Sequence, residues 1–503
     1  MKSSFLRYCI FLLLLIGICY LLGYPKYIYY RPQSIHQWAQ CDRASVAFNY
    51  FTNGFHFFTP QVHNISNGTG FTGLEFPIIN FLAAIGYLLF GFHEYIYRLI
   101  VLCLLLFGLL NAYRLADMLL PGKLVAALPV YLIFVSPVLA YYCISFLPDA
   151  AALGLSLASW FYFFKWHKNQ SKPALIITIV LCSFAGLIKV SAMMNPLAMA
   201  AFIVLNNGQP ELKTLVRQKI IHSLLFLLPV IPVFAWYYYA NQLNKTYESK
   251  IFMLEMRPVG SWEEFKSIWK EIEHTWFWSF YPRIYFIALS VASVVAAFVR
   301  QKADRTLLTI TLLLYVGAVS FFFLMYTQFR VHDYYIIALM PAFFFHWLLI
   351  IKKLTGTSKS FTIVTTILLL GLTSFVTVEA KHHLREAHDK ASWKYSPVVY
   401  DLYFYLEPEL RKLNIQPGDP VLSLYDWSFN VSLYLMNQVG NTVGPKTPVK
   451  DILKELQKPV YKYAILNNFN PTRFDGVMDS LNLGKKILEW NDLTVYTLHA
   501  NRK

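Results

Sequence analysis

Eleven runs of apolar residues, most of them about 17–22 residues long, fill much of the first 380 positions. They lie near 5–24, 97–118, 123–143, 149–166, 173–189, 191–206, 219–240, 283–300, 306–326, 334–351 and 361–379. A run of roughly 17–25 apolar residues is what a helix needs to cross a bilayer. Inside lipid every backbone polar group must be satisfied internally, so such runs fold as helices. Only 14% of the residues are charged and 56% are hydrophobic, against roughly 25% charged in a soluble domain. The chain is therefore expected to be an α-helical polytopic membrane protein.

A twelfth run, Phe76 to Phe92, competes for a place among the spans. Charge decides the matter, because cytoplasmic loops collect Lys and Arg. With the N-terminus inside and eleven spans, five inside loops hold fourteen basic residues. They are Arg114 and Lys123; Lys165, Lys168 and Lys172; Lys213, Arg217 and Lys219; Arg300, Lys302 and Arg305; Lys352, Lys353 and Lys359. The short outside loops near 144–148 and 327–333 hold only Arg330. If Phe76 to Phe92 crossed, this bias would fail from the second span onward. That run is expected to lie in the interface or to re-enter, and the C-terminus to lie outside.

The net charge of +16 follows from the same loop bias, and no nucleic-acid partner is implied. Tyr8 to Tyr24 follows Lys2 and Arg7, and no small-x-small cleavage site precedes Pro25. It reads as a permanent anchor rather than a signal peptide. Six cysteines form no CxxC pair, so neither a disulfide framework nor a zinc site is expected.

The expected division is a membrane domain over 1–380, with outer loops 25–96 and 241–282, and a separate domain over 381–503. In the first loop Ser34 can cap a helix through Trp38, Asp42 and Val46, which Asn53-Gly54 ends. The second loop carries Trp262, Trp269, Trp276 and Trp278, rings suited to the headgroup region. After Lys381 charges return and alternation appears at 420–424, 463–467 and 493–498. Helical patterns at 427–438 and 451–458 separate those stretches, which suggests a small extracytoplasmic α/β domain. The triplets at Asn64 and Asn67 are glycosylation sequons by pattern.

This topology brings Asp42, Glu75 and Asp149 to the outer membrane boundary, with Lys189, His274, Arg283, Arg330, His332 and Asp333. Ionisable residues at a helix centre cost roughly 2.5–3.5 kcal/mol each, so their gathering on one side favours a site. Each has a structural alternative. Asp149 follows Pro148 at a helix start, where an acid gains about 0.3–1 kcal/mol from the dipole. Asp42 can pair with Arg43 or face water.

Six features stand in order along the chain: the acid in HQWAQCDRASVAFNYF (36–51), GLEFPIINFLAAIGYLLFG (73–91), Arg98, SFLPDAA (145–151), GLIKVSA (186–192) and HDYYIIALMPA (332–342). In this order they resemble the GT-C class of lipid-dependent glycosyltransferases, in particular family 39, with its protein O-mannosyltransferases, and the related aminoarabinose transferases acting on lipid A. The likeness covers roughly residues 1–380 and implies a GT-C-like fold of about eleven transmembrane helices. It places the catalytic base on Asp42, and the other two acids on Glu75 and Asp149. Some relatives have a phosphate-holding lysine after the second acid, where this chain has Phe76. Replacements among the substrate-binding candidates are Lys189, Arg283, Arg330 and His332, beside Arg43, Asp333 and Tyr334. A divalent metal has a role in some relatives, and Glu75 with His274 is the pair offered here.

The chemistry needs such groups. A sugar on a polyprenyl phosphate already has a leaving group. The enzyme must deprotonate an acceptor hydroxyl, which a partly buried carboxylate of raised pKa can do. It must also stabilise the departing phosphate with Arg, Lys or His⁺. One carboxylate acting without a second as nucleophile implies inversion. The expected partners are a polyprenyl-phosphate sugar donor, a lipid, glycan or protein acceptor, and membrane lipids, in a bacterial inner membrane with the C-terminal domain periplasmic. The alternatives are a lipid or sugar transporter, for which paired half-helices and inverted repeats would be expected, and a non-catalytic scaffold.

Overall fold

The computed structural model describes residues 2–205, 212–252, 255–388, 400–468 and 484–498. Each of the eleven apolar runs coincides with helix. Five helices are long and apolar enough to cross a membrane alone: Tyr95–Leu119, Gln218–Thr246, Arg305–Leu324, Asp333–Thr355 and Lys359–His388. Trp262–Phe280 and Arg283–Phe298 add a sixth if their 77° bend belongs to one span. The protein is an integral multi-pass membrane protein of mostly helical fold. The other runs form helices outside that set, several of only 10–17 residues.

The run at 123–143, expected as one straight span, is broken into Lys123–Phe134 and Pro137–Tyr142. Pro137 has no N–H to continue the first helix, and the Ser136 hydroxyl donates to the Phe280 carbonyl at 2.7 Å.

The chain divides into two compact units. The first comprises Met1–Tyr29, Arg98–Tyr238 and Leu254–Glu386. At its centre Asp149–Asn169 is buried along almost its whole length. Gly154 lies against the Leu104 backbone and Gly108 against Gly154, with no room for a Cβ at either position. Glycine is therefore required where these two helices cross. Trp160 ties the central helix to Met194–Leu205 by donating its Nε1 proton to Asn195 Oδ1 at 2.9 Å. Arg98 is fully buried and donates to the Tyr27 and Ile28 carbonyls at 2.7 and 3.2 Å.

The second unit comprises Tyr30–Tyr97, Tyr239–Met253 and Ala387–Lys503. The first outer loop thus packs with the tail as one body. Its sheet has strands β1 (Val421–Leu424), β2 (Gly440–Val443), β3 (Tyr463–Asn467), β4 (Gly484–Trp490) and β5 (Leu493–Leu498), in the order β2-β1-β3-β5-β4. The β2, β1 and β3 strands are parallel, and β5 and β4 add antiparallel neighbours. A core on one side joins Leu422, Leu424, Ala464 and Leu466 to Ile452 and Leu456 of helix Val449–Leu456. The free edge at β4 carries Lys485, Lys486 and Glu489, charges of the kind that discourage edge-to-edge pairing. The β2 edge is covered by the first loop. Gly440 N–H donates to the His63 carbonyl at 3.0 Å, and Ile65 N–H donates to the Gly440 carbonyl at 2.7 Å.

In the same unit Ile78–Phe90 is too short to span, at 13 residues or about 20 Å of rise. It buries Ile79, Asn80, Ala83, Ala84 and Tyr87, and exposes Leu82, Leu88, Leu89 and Phe90. A helix buried on one face and apolar on the other suits an interfacial position.

Candidate functional site

Two clusters of buried ionisable groups stand out, one in each unit. In the second unit, helix Gln37–Thr52 carries Asp42 and Arg43. The helix starts later than Ser34 would have set it: Ser34 and His36 both have positive φ, and no side chain caps it. Gln37 and Gln40 instead reach back to the carbonyls of Pro32, Gln33 and Ile35. Asn53 and Gly54 do end it. It is a buried helix rather than a surface one, with Asp42 only 3% exposed. Arg43 is held by Glu75, whose Oε1 accepts from Nε at 2.7 Å and lies 2.5 Å from Nη2. Arg43 Nη1 donates to the Ala39 carbonyl at 3.0 Å, and its guanidinium lies 5.4 Å from the Phe252 ring. Asn80 Nδ2 fixes the Arg43 carbonyl at 2.8 Å.

Burial pushes the Asp42 carboxyl up to about 8; Arg43 opposes the shift, while Asp426 and Glu75 add to it. This is where a general base for work near neutral pH needs to be. Seven residues along the helix, about 10 Å of rise on the same face, Asn49 helps line a cleft of about 410 Å³. Asn53, His56, Gln61, Tyr50 and Phe71 complete the part that matters, amides and rings suited to a polyhydroxylated ligand. His63, beside Asn49 through Ser45, is held neutral: burial lowers it to about 4.

In the first unit, Asp149 opens its helix in the predicted place and is 4% exposed. Its partner is forty residues on: Lys189 Nζ lies 3.1 Å from Oδ1 and 3.3 Å from Oδ2. Lys189 sits at the break between Lys172–Ile188 and a 3₁₀ turn, over the rings of Tyr334 and Tyr335 at 5.1 and 4.9 Å. Asp333, also buried, accepts from the Tyr142 hydroxyl at 2.5 Å. A small cavity opens here between Asp149, Ser156, Lys189, Asn195 and Pro341.

The other candidates are placed differently. Arg283 is exposed and covers the Trp278 ring at 4.6 Å. Arg330 is half-exposed and pairs loosely with Glu271 at 3.8 Å. His332 packs its ring against Tyr334 and Tyr335. His274 is exposed in a π-helical turn. Glu75 spends its carboxylate on Arg43, a cation that competes with any metal. Among the described residues no three His, Cys, Asp or Glu come together to hold a metal ion.

Sequence reasoning missed the tail's contribution. Asp426 accepts from Ser428 N–H and Oγ–H at 2.7 Å each and from Ser432 N–H at 2.9 Å. Ser428 Oγ accepts from Val431 N–H at 2.8 Å. These side chains take the backbone donors of a turn, so the expected helix over 427–438 shrinks to Val431–Leu435. The D-x-S-x-N spacing is an Asx-type turn signal that was readable in the sequence. Asn64 proves to be structural: it is 2% exposed and donates from Nδ2 to the Phe429 carbonyl at 2.6 Å.

Residues 75–236 match the family model described as dolichyl-phosphate-mannose-protein mannosyltransferase. The fold is similar to that of ArnT from Cupriavidus metallidurans, with a TM-score of 0.62 and 13% identity over 98% of both chains. It is also similar to the mycobacterial arabinofuranosyltransferase AftD, with a TM-score of 0.53 and 11% identity over 99% of this chain and 42% of that one. Comparison with curated protein sequences gives no match. The chain has the fold of the GT-C class of polytopic glycosyltransferases.

Proposed function

We propose that this protein is a membrane glycosyltransferase of the family 39 type. It moves a sugar from a polyprenyl-phosphate carrier to an acceptor hydroxyl on the outer face of the membrane, with inversion. The observation that carries the reading is Asp42: a buried carboxyl, raised to about 8, on the same helix as an amide-lined cleft. The family match and the GT-C fold support the same class of chemistry.

Asp42, ionised, takes the proton of an acceptor hydroxyl as that oxygen bonds to the anomeric carbon. The bond from that carbon to the carrier's phosphate oxygen breaks, and its electron pair leaves with the phosphate. Asp42 then returns the proton to water. Glu75 holds Arg43 in place, and the Arg43 charge beside Asp42 favours its ionised form. In the first unit Lys189, held by Asp149 and the two tyrosine rings, is a cation of the kind that a lipid phosphate binds. No step runs through a metal. The cleft near Asn49 and Asn53 offers amide donors and acceptors to an acceptor sugar or a hydroxylated headgroup.

The eleven-span topology and a bacterial inner membrane belong to the same proposal. Cysteines substituted for Lys168 and Lys302 are expected to label from the cytoplasm, and those for Pro60 and Lys450 from outside. An external signal at 302 overturns the topology. For the reaction, purified protein is incubated with a labelled polyprenyl-phosphate sugar and a membrane extract. The label is expected to move to a hydroxyl-bearing acceptor, and label that stays on the carrier refutes the proposal.

A further inference from the structure

The tail packs in one unit with the loop that carries Asp42. Its turn at Asp426 to Asn430 is held by side-chain hydrogen bonds. Asp426 accepts three hydrogen bonds from Ser428 and Ser432, and Thr442 Oγ1 donates to the Ser428 carbonyl at 2.8 Å. Asn430 follows with no exposed surface. Its Oδ1 accepts from Asn64 N–H at 3.2 Å, which orients the amide. Asn430 opens helix Val431–Leu435, which packs on the helix Gln37–Thr52 that carries Asp42; its Nδ2 is buried with no hydrogen-bond partner within the usual limits among the described residues, and the amide favours the Asp42 carboxylate. A buried amide with an unfilled donor costs free energy, so a position that leaves Nδ2 to Asp42 asks for a reason.

We propose that Asn430 and Asp426 are positioning residues for the reaction, the first holding the Asp42 carboxyl through its side-chain amide and the second setting the turn and a like charge behind it. The tail then completes the base rather than merely flanking it. This rests on Asp42 being the base. The groups facing Asp42 push in opposite directions. Arg43 and the Asn430 amide favour the carboxylate, while burial, Asp426 and Glu75 favour the acid. Cys41, next to Asp42 on the same helix, is a buried thiol pushed up by burial and stays neutral.

The test follows two readouts in the full-length protein. One is the pH profile of sugar transfer. The other is the pH dependence of Asp42 modification by a hydrophobic carbodiimide, which reacts with the protonated carboxyl and is read by mass spectrometry. In wild type both midpoints are expected near 8. Asn430→Leu removes a donor to a charged group and should raise both midpoints by about one pH unit. Asp426→Asn removes a like charge and should lower both by about as much. If Asn430→Leu does not fold, Asn430→Ser, which keeps an oxygen for Asn64, carries the same expectation. A purely structural role would reduce transfer by one factor at every pH and leave the midpoints in place, and that result overturns the proposal. If Asp42→Asn still turns over, the base assignment falls. The carbodiimide midpoints still report whether Asn430 and Asp426 act on Asp42.

Discussion

Glu75→Gln isolates the role of the buried ion pair. Arg43 and Glu75 have side chains only 8% and 11% exposed and meet through Nε and Nη2 at one carboxylate oxygen. At about 3 Å and an effective dielectric near 20, the gross attraction is roughly 5 kcal/mol. Taking away one partner removes the carboxylate that meets the guanidinium directly and leaves it contacts that include the Ala39 carbonyl and the Phe252 ring. Breaking such a pair typically costs about 3–5 kcal/mol, whereas replacing both partners with apolar groups of similar volume is often near neutral. At roughly 2–4 °C per kcal/mol, Glu75→Gln in detergent should melt at least about 6 °C below wild type. The double variant Arg43→Met with Glu75→Met should recover most of that loss. Differential scanning fluorimetry of the three proteins gives the answer. A single variant that melts with wild type, or a double variant that melts no higher than the single, refutes the view that Glu75 is spent on holding Arg43.

Three further outcomes are expected. Asp42 binds its proton more tightly folded than unfolded, so the stability it contributes is complete below about pH 4. That stability is lost as pH rises through about 8; melting temperature should fall across this window in wild type, and Asp42→Asn should flatten that part of the curve. Asp149→Asn strands Lys189, a side chain 15% exposed, and should cost about 3–5 kcal/mol; adding Lys189→Met should restore the melting temperature but not transfer, and restored transfer would remove Lys189 from the mechanism. A fragment of residues 387–503 lacks His63 to Ile65, which cover the β2 edge. It should aggregate or bind a strand-like partner in light scattering, whereas co-expression with residues 30–97 should keep it monomeric.

The helical part of the fold was legible because a membrane leaves few choices: every apolar run became helix. Breaks such as Ser136-Pro137 were less so, since a helix ends there by a long-range bond to Phe280 as well as by proline. In the tail, alternation found β1, β3 and β5. It missed β4 and also β2, a four-residue strand in which Gly440 is required because a Cβ there would strike the Val421 carbonyl. Asp42, Glu75 and Asp149 were visible as acids out of place, yet their partners were not equally so. Arg43 is adjacent in sequence, and Lys189 lay in a quoted motif. Asn430 is almost four hundred residues from Asp42, and no local periodicity carries that pairing. The burial of helix Gln37–Thr52 was hidden for the same reason, because the tail segment packed against it is remote in sequence.

The most direct measurement is sugar transfer per folded molecule in wild type and in Asp42→Asn, using a labelled polyprenyl-phosphate donor and holding pH above 8. Wild type should pass label to an acceptor hydroxyl with inversion. Asp42→Asn should bind the carrier lipid as wild type does and lose transfer by about 10²-fold or more, the share that a positioned base supplies. Equal transfer by the two proteins would contradict the assignment of Asp42 as the base and, with it, the mechanism built on this site.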